Sequence, residues 1–250
     1  MNRCLVTVAL TLATAVFGLP APRVERAVPF RVGETLVYDV SWEAYLTAGT
    51  MVATVKEKKP SYSSTAYYIV VEGRPTLLLS KLYSLYYKTD TLLDSYTLLS
   101  QRGATYSEEG QRHRYHATRF DRAARRAFFE DERGGVRFDF AVPPAVQDPL
   151  SALYVLRANP LKAGARLTIP ISENGTIYQV QVQADGLEGV RTPAAEMNAL
   201  KVNAAILDVN DRPLGQNIVI WFSEDPRRLP MKIQAEMPFG TFNLVLREAR

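Results

Sequence analysis

From Phe30 onward the apolar residues of this chain recur with a period of two, and that pattern constrains the fold more than any other feature. Leu36, Tyr38, Val40 and Trp42 share one side of a strand, with Asp39 and Ser41 opposite. Phe138, Phe140 and Val142 alternate with Arg137 and Asp139. Tyr178, Val180 and Val182 alternate with three glutamines. Met231, Ile233, Ala235 and Met237 alternate with Lys232, Gln234 and Glu236, and Phe242, Leu244 and Leu246 follow the same rule. Strands of this kind cover a core with one face and meet water with the other, as antiparallel sheets do. Turn chemistry separates them. Asn174-Gly175 suits a type I′ hairpin between Arg166–Glu173 and Thr176–Ala184, because that turn needs positive φ at both central residues. Gly134-Gly135, Asp185-Gly186, Asn210-Asp211, Glu224-Asp225-Pro226 and Phe239-Gly240 read as further turns.

Two segments break the rhythm. Asp148 to Arg157 reads as a helix with Asp148 as N-cap and Pro149 in the first helical position. Leu150, Leu153, Tyr154 and Arg157 fall on one stripe, and Asn159-Pro160 ends it. Between Thr76 and Tyr87, five residues (Leu77, Leu78, Leu82, Leu85 and Tyr86) line a second short helix, and Lys88–Leu93 returns to strand. The expected fold is mainly β: a single curved antiparallel sheet, half-barrel or barrel, with one or two short helices plugging or flanking it.

Met1-Asn2-Arg3, an apolar run from Cys4 to Leu19, and a Pro20-Ala21-Pro22 break followed by charge form the three-part pattern of a secretory signal peptide. The run is too short for a membrane span. Ala13-Thr14-Ala15 and Val16-Phe17-Gly18 both offer small residues for cleavage. Residues 1–21 are therefore expected to be a signal peptide, 22–29 a short linker and 30–250 a single β-rich domain with no transmembrane segment. The expected location is the periplasm, with secretion as second choice. The net charge of +4, spread along the chain, gives nucleic acid no footprint. One cysteine, at the start of the apolar run, rules out a disulfide framework and every multi-cysteine metal site, and two histidines leave little for imidazole catalysis.

Three segments in register resemble a bacterial exported family called domain of unknown function 3108. They are Val32-Gly33-Glu34-Thr35-Leu36-Val37-Tyr38-Asp39-Val40-Ser41-Trp42 with Ala48-Gly49-Thr50, the Asp148-to-Tyr154 helix with Arg157 beyond, and Ile220-Trp221-Phe222-Ser223-Glu224-Asp225-Pro226-Arg227-Arg228-Leu229-Pro230. The resemblance spans roughly residues 30–248. It implies a periplasmic or surface-facing β-rich protein and brings no catalytic residues with it.

No cofactor, metal site or catalytic set is expected. His113 and His116, three apart on a strand, point to opposite faces, and Ser151 has no base and no nucleophile elbow. The arginines between Arg112 and Arg133 are flanked by acids, which suits cross-strand ion pairs; the sharper reading is a basic patch for lipid phosphates or acidic polysaccharide. These features favour a binding or assembly factor whose concave sheet face holds a lipid, an acyl chain or an envelope glycan, or which meets an envelope protein. Trp221, Arg157, Tyr154, Asp225 and Arg227 are the expected groove and rim residues: a long cation on the inward stripe of a helix needs a carboxylate or a ligand, and the charged turn lies beside an aromatic. The alternative is an envelope carbohydrate or ester hydrolase using two of Asp39, Asp148, Glu188 and Asp225. An outer-membrane barrel fits least, since charges occupy too many strand faces.

Overall fold

The computed structural model describes residues 23–250 apart from 44–45, 83, 133 and 238–239. The signal-peptide segment and Phe239 lie outside the described residues. The rest forms a mainly β fold, one 14-stranded antiparallel sheet with two helices, as the alternation implies. The first wing contains β1 (Thr35–Trp42), β2 (Leu46–Ser61), β3 (Ser64–Pro75), α1 (Leu77–Leu82), β4 (Leu85–Asp94), β5 (Ser100–Glu109), β6 (Arg112–Asp121), β7 (Arg126–Asp131) and β8 (Val136–Ala141). Helix α2 (Pro149–Ala158) leads into the second wing: β9 (Arg166–Glu173), β10 (Thr176–Arg191), β11 (Glu196–Leu207), β12 (Pro213–Ser223), β13 (Pro230–Met237) and β14 (Gly240–Ala249).

The strand order, β8 through β1 and then β14 through β9, places the first and last strands side by side in the middle. Every other pairing joins sequence neighbours. The chain must therefore travel from one free edge, β8, to the other, β9, and α2 makes that crossing through the concavity. Register shifts at Val55/Glu57, Ala184/Leu187 and Trp221/Phe222 curve the sheet. The two edges do not pair with each other, but they meet at a seam. Gln147 bridges to Ile171 of β9, the Phe138 ring of β8 lies over Gly175, and His116 of β6 sits 3.5 Å from Glu173. Asn174 and Gly175 both take positive φ, the type I′ geometry expected of this hairpin. A Cβ at Gly175 would fall 2.4 Å from the Phe138 ring, so the seam as well as the turn requires glycine.

Helix α2 is buried on opposite sides. Leu150 and Tyr154 join a core with Phe30, Tyr38, Tyr67, Trp221 and Leu246; Ala152 and Leu156 join a second core with Ile169, Val180, Val202 and Ile220. Phe30 meets Tyr67 and Tyr154 edge-on, with centroids 5.3 and 5.0 Å apart.

Two expectations need correction. Asp185-Gly186 is a bulge inside the long strand β10, whose pairing with β11 resumes at Leu187. The helix read between Thr76 and Tyr87 ends at Leu82, and Leu85 and Tyr86 belong to β4, because Lys88 to Leu93 continues a ladder with β3 that starts at Tyr87. Leu77 and Leu78 face solvent instead of lining a core.

Candidate functional site

The N-terminus of α2 is fixed by a buried polar network. Asp148 caps the helix, accepting the Ser151 N–H at 3.0 Å, while its own N–H donates to Ser151 Oγ at 3.1 Å, a capping box. The second carboxylate oxygen of Asp148 accepts Thr91 and Ser100 hydroxyls, both at 2.6 Å. Gln147 accepts the Ser100 N–H and donates to the Leu98 carbonyl. Burial pushes the Asp148 carboxyl above the ordinary aspartate range, and the hydrogen bonds from Ser100, Thr91 and Ser151 offset only part of that. Arg122, whose guanidinium donates to the Ser100 carbonyl, is pulled down by burial to about 10, with Asp148 and Asp94 as the carboxylates that support its charge.

At the other end of α2, Arg157 meets Glu34 in a bidentate pair, 2.7 and 3.1 Å, with both residues buried. Its remaining donors reach the carbonyls of Arg228 and Arg227, at 3.1 and 3.0 Å. Burial alone would lower the Arg157 pKa; the Glu34 hydrogen bonds and charge more than reverse this. The Arg227 and Arg228 carbonyls are presented by a tight turn after β12, where Asp225 accepts the N–H groups of both and the Ser223 hydroxyl. Glu34, Arg157 and the Arg227-Arg228 pair come from the three segments that carry the sequence resemblance, and they converge on one ion pair.

The structure thus brings four of the expected site residues to this ion pair, while the fifth, Trp221, shares the hydrophobic core of Tyr154 but has its polar partners elsewhere. Tyr154, Arg157, Asp225 and Arg227 belong to this cluster, with Tyr154 and Arg157 inside the core and every Arg157 nitrogen engaged. Arg227 also borders a hollow of about 370 Å³ with Phe30, Arg31, Glu34 and Arg250. Trp221 is buried in the neighbouring strand layer, where its indole N–H donates to Glu188 at 2.9 Å and Lys232 lies 4.8 Å from its ring. The hydrogen bonds from Trp221 and Lys201 hold the Glu188 carboxyl below its ordinary value of 4.5. The interaction is present above that lowered pKa and lost as pH falls through it. Trp221 emission is therefore expected to change with a midpoint below 4.5, and Glu188→Gln to abolish the transition. A transition that survives Glu188→Gln contradicts the assignment.

The carboxylates considered for hydrolysis are dispersed. Asp39 pairs with Arg247 on β14, Asp148 caps α2, Glu188 lies on β10 and Asp225 closes the turn after β12. Among the described residues no hydrogen bond or ion pair links any two of them.

An apolar concavity lies elsewhere, between one side of α2 and strands β9–β13, with a volume of about 520 Å³. Pro149, Ala152, Leu153 and Leu156 form its helical wall; Ile169, Ile171, Tyr178, Val180, Ile206 and Ile218 are among the side chains of the opposite wall. Ala152 on the helix and Ala204 on the sheet are too small to span the gap, so the second core stays open there. Pro149, Asn174 and Leu214 are exposed lining residues, and Glu173, Asn174 and Gln216 are the polar ones. The volume falls within the roughly 300–1,000 Å³ typical of small-molecule sites. Sequence alternation identifies Tyr178, Val180 and Ile233 as inward-facing; the helix stripe expected to join Leu153 to Leu150 and Tyr154 is split, because Leu153 packs against the second core. The alternation carries no signal for the gap, which arises from the distance between two elements.

The model of the family described as "Protein of unknown function (DUF3108)" matches residues 37–247. No curated protein matches the chain. Among solved structures, the fold is similar to the β-barrel-like DUF1849 protein of Brucella abortus, with TM-score 0.54, 11% identity, and 87% of this chain and 97% of that one covered. A Bacteroides fragilis protein with a YmcC-like fold aligns at TM-score 0.35 and 13% identity, over 91% of this chain and 100% of that one. The match over most of its length makes this chain a member of the DUF3108 family.

Proposed function

We propose that this is an exported periplasmic binding protein that holds the acyl chain of an envelope lipid in the groove between α2 and β9–β13, without catalysis. The groove itself carries the reading: a concave site of about 520 Å³ walled mainly by aliphatic side chains, with Glu173, Asn174 and Gln216 as its few polar lining residues. The signal-peptide pattern of residues 1–21 supports export. In this reading Arg157, Tyr154, Asp225 and Arg227 hold α2 at the distance that leaves the groove open, and Trp221 packs in the adjoining core. A lipid is favoured over a glycan because the walls offer few hydrogen-bonding groups.

Displacement of a fluorescent fatty acid by saturated fatty acids of increasing length tests this directly. Each buried methylene contributes about 0.8 kcal/mol, so two added methylenes are expected to tighten binding by about tenfold until the groove is filled. Leu153→Trp, which fills the space, and Ile206→Glu, which charges its wall, are each expected to weaken binding at least tenfold, a threshold set at about 1.4 kcal/mol. Affinity that is independent of chain length, or variants that bind like the wild type, overturn the assignment.

A further inference from the structure

A second apolar hollow lies at the C-terminal end of α2. It encloses about 290 Å³ between the end of the helix, the loop leading to β9, and β10–β12, with Leu161, Leu187, Leu200 and Phe222 among its walls. Among the described residues, Leu156 alone lines both this hollow and the 520 Å³ groove. The strand pairing shows how little else separates the two. Across β10, β11 and β12 the inward side chains form successive rows: Val182, Ala204 and Ile218, then Ala184, Val202 and Ile220, then Leu187, Leu200 and Phe222. Ala204 and Ile218 of the first row line the groove, and the whole third row lines the hollow. Ala184 and Val202, in the row between, line neither; both are fully buried and share a core with Leu156. Successive rows are about 7 Å apart along a strand. The wall is therefore one row of side chains thick, with Leu156 closing it from the helix.

The groove is also polarised along its length. Glu173 and Asn174 sit at the β9–β10 turn, and Gln216 lies on β12 beyond the row of Ile218, all on the side away from Leu156. The Leu156 end is walled by Val180, Ala204 and Ile220 and offers no polar side chain. Burying a polar group without a partner is costly, so an amphiphile lying in this groove keeps its head at Glu173, Asn174 and Gln216 and points its chain at Leu156. We infer that Leu156 sets the longest acyl chain the groove accepts, an assignment that rests on the acyl-groove reading and adds the direction of the chain and the residue that ends it. The methyl end of the chain abuts Leu156, and the second hollow continues in line behind that side chain.

The test repeats the fatty-acid displacement series on the mature protein with Leu156→Ala, Leu156→Val, Ala163→Trp and the Leu156→Ala/Ala163→Trp double variant. Ala163 is exposed in the loop before β9 and lines the second hollow but not the groove, so an indole there fills the hollow alone. In wild type the gain per methylene is expected to stop at a definite length. In Leu156→Ala it should continue for about four further methylenes, about 100-fold in affinity over the wild-type plateau and more than the truncated side chain itself vacates. Ala163→Trp should leave the wild-type profile unchanged and cancel most of that extension in the double variant. Leu156→Val disturbs the core less and covers the case of an unstable alanine variant; it should move the stop outward by about one methylene, roughly fourfold in affinity. Length-dependent binding with the same stop in wild type and both Leu156 variants overturns this inference alone. So does an extension in Leu156→Ala that Ala163→Trp leaves intact. Wild-type affinity that never depends on chain length overturns the acyl-groove reading and this inference with it.

Discussion

Arg157→Ala is expected to destabilise the protein by about 3–5 kcal/mol, the cost of leaving one member of a buried ion pair without the other. For a chain of this size that corresponds to a fall in melting temperature of roughly 10 °C. The loss has three sources. The Glu34 carboxylate stays buried without its bidentate partner, the carbonyls of Arg227 and Arg228 lose their donors, and the packing of the guanidinium over Phe30 and Tyr154 disappears. Arg157→Lys cannot reproduce the forked geometry and is expected to recover only part of the stability. Glu34→Leu combined with Arg157→Met removes both charges and should be more stable than Arg157→Ala alone, yet below wild type, because the two turn carbonyls remain unpaired. Urea unfolding of the four proteins measures these differences. An Arg157→Ala protein within about 1 kcal/mol of wild type contradicts the account of this cluster.

Gly103→Ala is expected to cost about 1–3 kcal/mol through overpacking. An added methyl carbon would lie 2.6 Å from Asp148 Cβ and 2.8 Å from its Cγ. Asp148 cannot swing aside, since its carboxylate is held by Thr91, Ser100 and the Ser151 N–H, and moving it uncaps α2. Gly189→Ala is the matched control: the added methyl group meets nothing within 4 Å, and the substitution should be neutral or slightly stabilising. Equal effects at the two positions, read by thermal or urea denaturation, contradict the packing argument.

Much of the scaffold was legible because it is set by local chemistry. Asn174-Gly175 needs only its own backbone preferences to make the turn, and Asp148-Pro149 needs only its own to start α2. The period of two gave the inward faces of β10 and β13 for the same reason. Asp185-Gly186 misled because a bulge and a turn use the same residue types, and only the partner strand, resuming at Leu187, separates them. Leu85 and Tyr86 were misplaced because the pairing of the following residues with β3 overrides a short helical pattern. The need for a partner to Arg157 was visible, but its identity was not, since Glu34 lies 123 positions away. The groove left no mark on the sequence: it is space left between α2 and the second wing, and its walls read as ordinary core.

The central claim is that this space holds an acyl chain, and native mass spectrometry with lipid extraction, on protein purified from the periplasm of its own host, tests it most directly. The expected result is a co-purifying species of defined mass that releases an acyl-bearing lipid on extraction, retained by wild type and absent from Leu153→Trp and Ile206→Glu. A clean unliganded mass that persists when the purified protein is titrated with palmitic acid contradicts it.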